Sequence, residues 1–283
     1  MHYFLYDIIM KLIADSGSTK TAWAVVETNT IITTSGINPV FMDAHTITEI
    51  LQNSLKPSLK EDITEVYFYG AGCASEEKNN IIKEAFRNVF GEIKVEVASD
   101  LLGAARGLLG TADGIACIMG TGSNSCLYEN GNISWNVPAL GFILGDEGSG
   151  AVLGKLLMGN IFKNQLPEAV IEDFKTTYGL SMMDVIEKVY RSPLPNRFLA
   201  SFGPFIAKHK GVPEMKSMIT EALESFIVRN VKQYPYTTMP VSFTGSIAYY
   251  FSDILQELAN KHNFMIGKIE KDPLQGLVEF HQE

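Results

Sequence analysis

One pattern occurs twice in this chain and constrains its fold more than any other feature: a short apolar run, a turn of small and polar residues, then a second apolar run. The first copy has Leu12, Ile13 and Ala14, then the polar residues Asp15 to Thr21 (DSGSTKT), then Ala22 to Val26. The second has Gly114 to Met119, the turn Gly120 to Asn124 (GTGSN), and Ser125 to Tyr128, closed by Asn130 and Gly131. Apolar and β-branched runs of this length read as strands, and Asn-Gly is a strong hairpin signal. The copies lie about one hundred residues apart, and repetition at domain scale predicts two related lobes.

The flanks of the first turn decide which kind of phosphate loop it can be. A Walker loop requires GxxxxGK[ST] at the start of a helix; here the spacing differs and a strand follows, so Walker chemistry is not expected. What remains is a hairpin tip offering the Asp15 carboxylate, the N–H groups of Ser16 to Lys20 and the hydroxyls of Ser18, Thr19 and Thr21. Successive N–H groups in a tight turn form an anion-binding concavity. An adjacent aspartate suits magnesium, which prefers oxygen ligands and keeps several waters. These are parts for holding a nucleotide's phosphates. They fit equally a plain polar hairpin tip in which Gly17 supplies a positive φ.

At 283 residues the chain exceeds a typical single core, in keeping with two lobes. A net charge of −9, from 32 acidic and 23 basic residues, with no basic stripe, argues against nucleic acid as a partner. Cys73, Cys117 and Cys126 fit neither a zinc site nor a disulfide framework and read as buried thiols of a cytoplasmic protein. The leading MHYFLYDII lacks a basic region and a cleavage site and is shorter than the ~20 residues of a membrane span. Residues 1–9 are expected to be an extension upstream of a natural start at Met10, and no membrane association is expected.

Between the two turns the chain reads as a loop (SGINPV, 35–40), a helix over 45–55, a strand over 65–69 ending in Gly70-Ala71-Gly72, a helix over 76–90, and a strand over 94–100. A helix follows Asp100 at once. This alternation predicts a partly parallel sheet joined to the opening hairpin. Beyond the second turn, helices are predicted over 149–162, 167–178, 181–190, 195–209 and 213–233. A strand over 240–245, a helix over 246–261, a short strand over 265–270 and a final helix from Pro273 complete the chain.

In this order and at these intervals, DSGSTKT, GTGSN, GDEGS and TGS resemble the actin-like ATPase superfamily of sugar kinases. Within it they resemble the BadF/BadG/BcrA/BcrD ATPase family, which includes N-acetylglucosamine kinases. The resemblance covers residues 10–283. It implies an α/β fold of two ribonuclease-H-like lobes with ATP and Mg in an interlobe cleft. The lobes would be 10–112, joined by the C-terminal helix 273–283, and 113–272. The implied activity is ATP-dependent phosphoryl transfer to a hydroxyl of a sugar or amino sugar, most of all one like N-acetylglucosamine, in a cytoplasmic enzyme that forms a homodimer.

Carried over position by position, the resemblance implies that Asp15 orients magnesium and that Gly17, Ser18 and Thr19 lie near the terminal phosphates. Thr121 and Gly122 would meet phosphate, and Gly245 and Ser246 the adenosine. Asn38, Ser123, Asn124 and Asp146 would bind the sugar, and Asp100 would accept the proton of the attacking hydroxyl. Ser16 and Ser18 stand where the family usually has glycine. Leu140 stands where similar N-acetylglucosamine kinases have tryptophan, a departure that bears on the identity of the sugar.

Each site residue also has a plain structural reading. Asp100 sits between strand and helix, where Asp is a preferred N-cap. A helix N-terminus favours its charged form, which would make it a weak base that chiefly orients the hydroxyl, as a loose phosphoryl-transfer transition state requires. In GDEGS, Ser149 reads as an N-cap with Gly145 and Gly148 shaping the turn; Asp146 reads as a sugar ligand, and Glu147 and Lys20 receive no role. Asn38, before Pro39, also reads as a loop residue. The histidines lack metal-ligand spacing, and Tyr249, Tyr250 and Phe251 read as core. Two other functions bear comparison. An ATPase activator of a dehydratase would need thiolates for a shared iron–sulfur cluster, which these cysteines do not offer. A non-catalytic sugar sensor would need a DNA-binding appendage, and no helix-turn-helix precedes residue 10.

Overall fold

The computed structural model describes residues 9–17 and 19–282. The expected extension, apart from Ile9, and Ser18 lie outside the described residues. The chain divides into two compact units: one runs to Gly110 and resumes at Pro273, and the other is Thr111–Asp272.

The first unit opens with β1 (Lys11–Ser16), β2 (Lys20–Val25) and β3 (Thr30–Ser35), followed by α1 (Ala44–Ile50), β4 (Glu65–Gly70), α2 (Glu76–Phe90), β5 (Lys94–Ser99) and α3 (Asp100–Leu109). Its sheet has the order β3-β2-β1-β4-β5, with β1, β2 and β3 antiparallel in sequence and β4 and β5 parallel to β1. Alternation along β1 explains why its apolar run is continuous. Leu12 and Ala14 join one core with Trp23, Phe68 and Phe86, and Ile13 joins another with Ala24 and Tyr69. A sheet buried on both faces needs apolar residues on both.

The second unit contains β6 (Gly114–Met119), β7 (Ser123–Glu129), β8 (Asn132–Val137), α4 (Gly141–Leu144), α5 (Gly150–Phe162), α6 (Glu168–Tyr178), α7 (Met182–Tyr190), α8 (Pro195–Ala200), α9 (Gly203–Lys208) and α10 (Pro213–Arg229). Next come β9 (Val241–Thr244), α11 (Ser246–Tyr250), α12 (Ser252–His262) and β10 (Ile266–Glu270). The sheet order is β10-β9-β6-β7-β8, with β7 antiparallel to both β6 and β8, and β9 parallel to β6 and β10. The opening strand is central in each unit, its two hairpin partners lie on one side, and the two later parallel strands lie on the other.

The last helix, α13 (Leu274–Gln282), belongs to the first unit and crosses α3 at glycines. A Cβ on Gly276 would stand 1.9 Å from the Gly107 carbonyl oxygen, so only glycine permits this approach. Arg106 Nη1 donates to Tyr69 Oη (2.9 Å), which also lies 2.8 Å from His281 Nε2. Burial beside Arg106 and Lys11 lowers the His281 pKa to about 4.

Several elements differ from expectation. The strand β3 was not read from its sequence, TIITTS, although Trp23 Nε1 donates to Thr34 Oγ1 (3.0 Å) and anchors it. The helix expected over 45–55 is α1 followed by a π-turn, Leu51–Leu55. The helix expected over 195–209 is split, because Pro204 lacks an N–H and its ring clashes with the carbonyl four residues earlier, at Ala200, where α8 ends. The helix expected over 246–261 breaks at Phe251 into α11 and α12. Phe251 is core, but Tyr249 and Tyr250 are exposed. The short α4 was not expected; it carries the exposed Ile143 and Leu144 and follows Leu140, which has φ +65°. Among the described residues no helix is long and apolar enough to cross a membrane.

Candidate active site

In the first unit, sheet register gathers three strand ends. Ser16 of β1 pairs with Gly70 of β4, which pairs with Ser99 of β5, so Asp15, Gly70–Gly72 and Asp100 share one edge, spread over about 10 Å. Ligands of open α/β sheets bind at the carboxyl ends of parallel strands. Asp15 is half-buried at this end of β1. Gly17 N–H closes the turn on the Lys20 carbonyl (3.0 Å), and Thr19 and Lys20 are exposed. The φ of Gly17 is not left-handed, and an added Cβ would meet only Lys20 O, at 3.7 Å. This corrects the expectation of a positive φ: what glycine supplies here is uncovered backbone.

Two hydroxyls at this turn are engaged within the protein. Ser16 Oγ, fully buried, lies 2.7 Å from Thr21 Oγ1 and donates to the Ile37 carbonyl (2.9 Å). Thr21 Oγ1 donates to the Ser35 carbonyl (3.2 Å), so it is not offered at the tip as expected. Ser16 thus ties the end of β1 to the loop carrying Asn38. The buried Asn38 accepts from Val40 N–H through Oδ1 (2.9 Å), and its Oδ1 would lie 2.3 Å from a Cβ on Gly72. Asn38 therefore shapes a local turn pressed against the end of β4.

Asp100 is not the N-cap of α3. Ser99 holds that position, accepting from Leu102 N–H (3.2 Å), while Asp100 Oδ1 accepts from Leu101 N–H (2.9 Å). Burial raises the Asp100 pKa above the ordinary carboxylate range, and the backbone hydrogen bonds only partly offset it. The helix field expected to keep Asp100 a weak base is outweighed by desolvation, and a raised pKa makes the carboxylate a stronger base.

In the second unit the glycine turn is braced by the start of α5. Gly150 N–H donates to Gly120 O (2.8 Å) and Ala151 N–H to Thr121 O (3.1 Å), while Ser149 caps the helix by accepting from Val152 N–H (3.2 Å). Space opens at Gly120, where an added Cβ would meet nothing within 4 Å. Asp146 adopts φ +51° and lies against the turn, its Oδ2 2.9 Å from where a Gly122 Cβ would be. Burial lifts its pKa to about 6, with a smaller contribution from the Glu147 charge and an opposing hydrogen bond from Ser123 N–H. Ser123 Oγ donates to Glu147 O (2.8 Å), and Asn124 Oδ1 accepts from Asn136 Nδ2 (2.9 Å). Gly245, at the end of β9, has φ +113°, and its Cβ would stand 2.3 Å from Met119 O, so the segment before Ser246 rests directly on the glycine turn. Thr121, Gly122, Ser123, Asn124, Asp146, Gly245 and Ser246 thus surround one turn of this unit.

No family model and no curated protein matches this chain. Among solved structures, a protein from Porphyromonas gingivalis named a "putative N-acetylglucosamine kinase" superposes with a TM-score of 0.92 at 44% identity, over 96% of this chain and 98% of that one. This chain belongs to the same family as that protein. A "putative N-acetylglucosamine kinase" from Chromobacterium violaceum (TM-score 0.73, 16% identity, 96% and 99% of the two chains) shares the fold. So does MreB 5 of Spiroplasma citri, bound to AMPPNP (TM-score 0.55, 12% identity, 98% and 96%). The family has the actin-like ATPase fold.

Several residues bordering this candidate site receive no role from the sequence. Glu147 forms an ion pair with Arg229 and accepts from Asn230 Nδ2 (3.3 Å), anchoring the GDEG loop to the end of α10. No local signal marks a pairing across this many positions. Thr244, immediately before Gly245, is buried with an unpaired hydroxyl. The three cysteines are buried; burial pushes the Cys73 and Cys126 thiols up to about 12 and holds the Cys117 thiol well above its ordinary value. Buried, protonated thiols are poor cluster ligands.

Proposed function

We propose that this protein is an ATP-dependent sugar kinase of the BadF/BadG/BcrA/BcrD type acting on an amino sugar like N-acetylglucosamine. The observation that carries the reading is the duplicated glycine turn at the end of each unit's central strand, with a desolvated aspartate in each unit: Asp100 on the same sheet edge, two strands away, and Asp146 against its turn. Support comes from the 44% identity to a protein named for that activity.

Open space beside Gly17 and Gly120 suits the approach of phosphate oxygens to the turns; the N–H groups of these two glycines are donated to Lys20 O and Gly122 O, so the binding falls to neighbouring main-chain N–H groups. In the first unit Thr19 and Ser18 join Gly17 on phosphate; in the second Thr121 and Gly122 take phosphate, and Gly245 and Ser246 adenosine. No group of three or more metal-ligating side chains occurs among the described residues. A single carboxylate, Asp15, would hold magnesium, which prefers oxygen ligands and keeps several waters; bound there it would supply charge neutralisation for the transferred group.

Asn38, Ser123, Asn124 and Asp146 bind the sugar, where polar groups reject a wrong hydroxyl pattern because a buried partner left unpaired is costly. The sugar oxygen attacks the terminal phosphorus, its proton passes to the Asp100 carboxylate, and ADP leaves. A coupled ADP-release assay across hexoses and hexosamines tests the reading. Turnover is expected with N-acetylglucosamine, and absence of turnover with every sugar would refute it.

A further inference from the structure

Asn38 sits on a loop, and a loop residue binds a ligand selectively only when other bonds hold it in place. Its own turn uses most of its polar groups. Oδ1 accepts from Val40 N–H (2.9 Å), and the main-chain oxygen accepts from Phe41 and Met42 N–H (3.1 Å each). That leaves Nδ2, for which no described residue is the acceptor, as the donor that Asn38 can offer a sugar oxygen.

What anchors this turn is the residue before it. Ile37 is fully buried, so its N–H and C=O need partners inside the protein. Ser16 Oγ serves both: it donates to Ile37 O at 2.9 Å and accepts from Ile37 N–H at 3.2 Å, with Thr21 Oγ1 3.3 Å from the same N–H. One residue earlier, Gly36 N–H donates to Thr19 O (3.1 Å). Ser16 is itself fully buried, pairs with Gly70 in the sheet, and accepts from Ala71 N–H through its main-chain oxygen (2.9 Å). A strand end fixed in the sheet therefore grips the loop at the peptide groups next to Asn38. Alanine at this position would keep the strand and release the loop.

We propose that Ser16 is the positioning residue of the sugar site: its buried hydroxyl holds Ile37 by both main-chain groups and so fixes where Asn38 offers its amide N–H to the substrate, a role that rests on the sugar-kinase reading.

Steady-state kinetics of the full chain test this, with N-acetylglucosamine or with whichever hexose or hexosamine wild type turns over fastest. Ser16→Ala is expected to raise the sugar KM about tenfold, the loss of one well-placed hydrogen bond, with kcat and the KM for ATP within about twofold of wild type. Asn38→Ala is expected to raise the sugar KM at least as much. Adding Ser16→Ala to it is expected to change nothing further, since a residue that acts through Asn38 has no effect once Asn38 is gone. Ser16→Cys, which puts a weaker donor in the same place, is expected to lie between serine and alanine and carries the test if the alanine variant does not fold. An unchanged sugar KM in Ser16→Ala or in Asn38→Ala overturns the proposal and leaves the kinase reading standing. So does an equal loss in kcat or in the KM for ATP, a full effect of Ser16→Ala in the Asn38→Ala background, or failure of both Ser16 variants to fold, since each makes the hydroxyl a general support of the fold. Wild-type protein that turns over no sugar overturns both.

Discussion

Asp100 is subject to opposed influences: the start of α3 favours its charge, burial opposes it, and burial wins. Asp100→Asn keeps the side chain's shape and removes the proposed base. Phosphoryl transfer is expected to fall about 10²–10⁴-fold in kcat, with little change in the KM for sugar, in steady-state kinetics. Asp146 gives a pH signature. Its carboxyl, raised to about 6 in the folded chain, holds a proton that the unfolded chain releases near 3.8, so stability falls as pH rises through that window. Asp146→Asn removes the loss. The variant should melt like wild type near pH 4 and higher than wild type at pH 7, by about 1 kcal/mol, because the half-buried carboxyl is partly screened by solvent. Asp146 is legible within its glycine loop and Asp100 at a strand end before a helix, because small residues and carboxylates at such places are visible locally. Their protonation was not, because desolvation depends on neighbours far along the chain. The internal bonding of Ser16 and Thr21 was hidden for the same reason.

At the scale of elements, backbone contacts at glycine fix the geometry. Gly245→Ala would force a side chain into φ +113° and against Met119 O. It should cost about 3 kcal/mol or more, read as a fall of roughly 10 °C in Tm. Gly276→Ala should loosen α13 from α3 by a similar amount, since its Cβ would stand 1.9 Å from the Gly107 carbonyl oxygen. The docking of α13 also carries a pH dependence. His281, lowered to about 4, refuses a proton that the unfolded chain accepts below 6.5, so stability is expected to decline as pH drops from 6.5 towards 4 in a series of thermal melts. Strands with continuous apolar runs, such as β1 and β6, and the helix that follows Asp100 could be read from the sequence. Strand β3 could not, because its threonines carry little hydrophobic signal. The breaks at Pro204 and Phe251 were overrun because periodicity continues across them.

The whole molecule repeats one topology: three antiparallel strands followed by two parallel ones in each unit, with the first strand central. The repeated turns made this duplication legible, whereas the long helical insertion between β8 and β9 obscured it. If the glycine turns hold nucleotide, ATP with magnesium should stabilise the protein, by about 2.7 kcal/mol at one hundred times its Kd. The most direct measurement follows phosphorus from ATP labelled at the terminal phosphate, incubated with N-acetylglucosamine and either wild-type protein or Asp100→Asn. One labelled sugar phosphate per ADP, strongly reduced in the variant, is the expected result; label appearing only as free phosphate, or remaining on ATP, would contradict sugar phosphorylation by this chain.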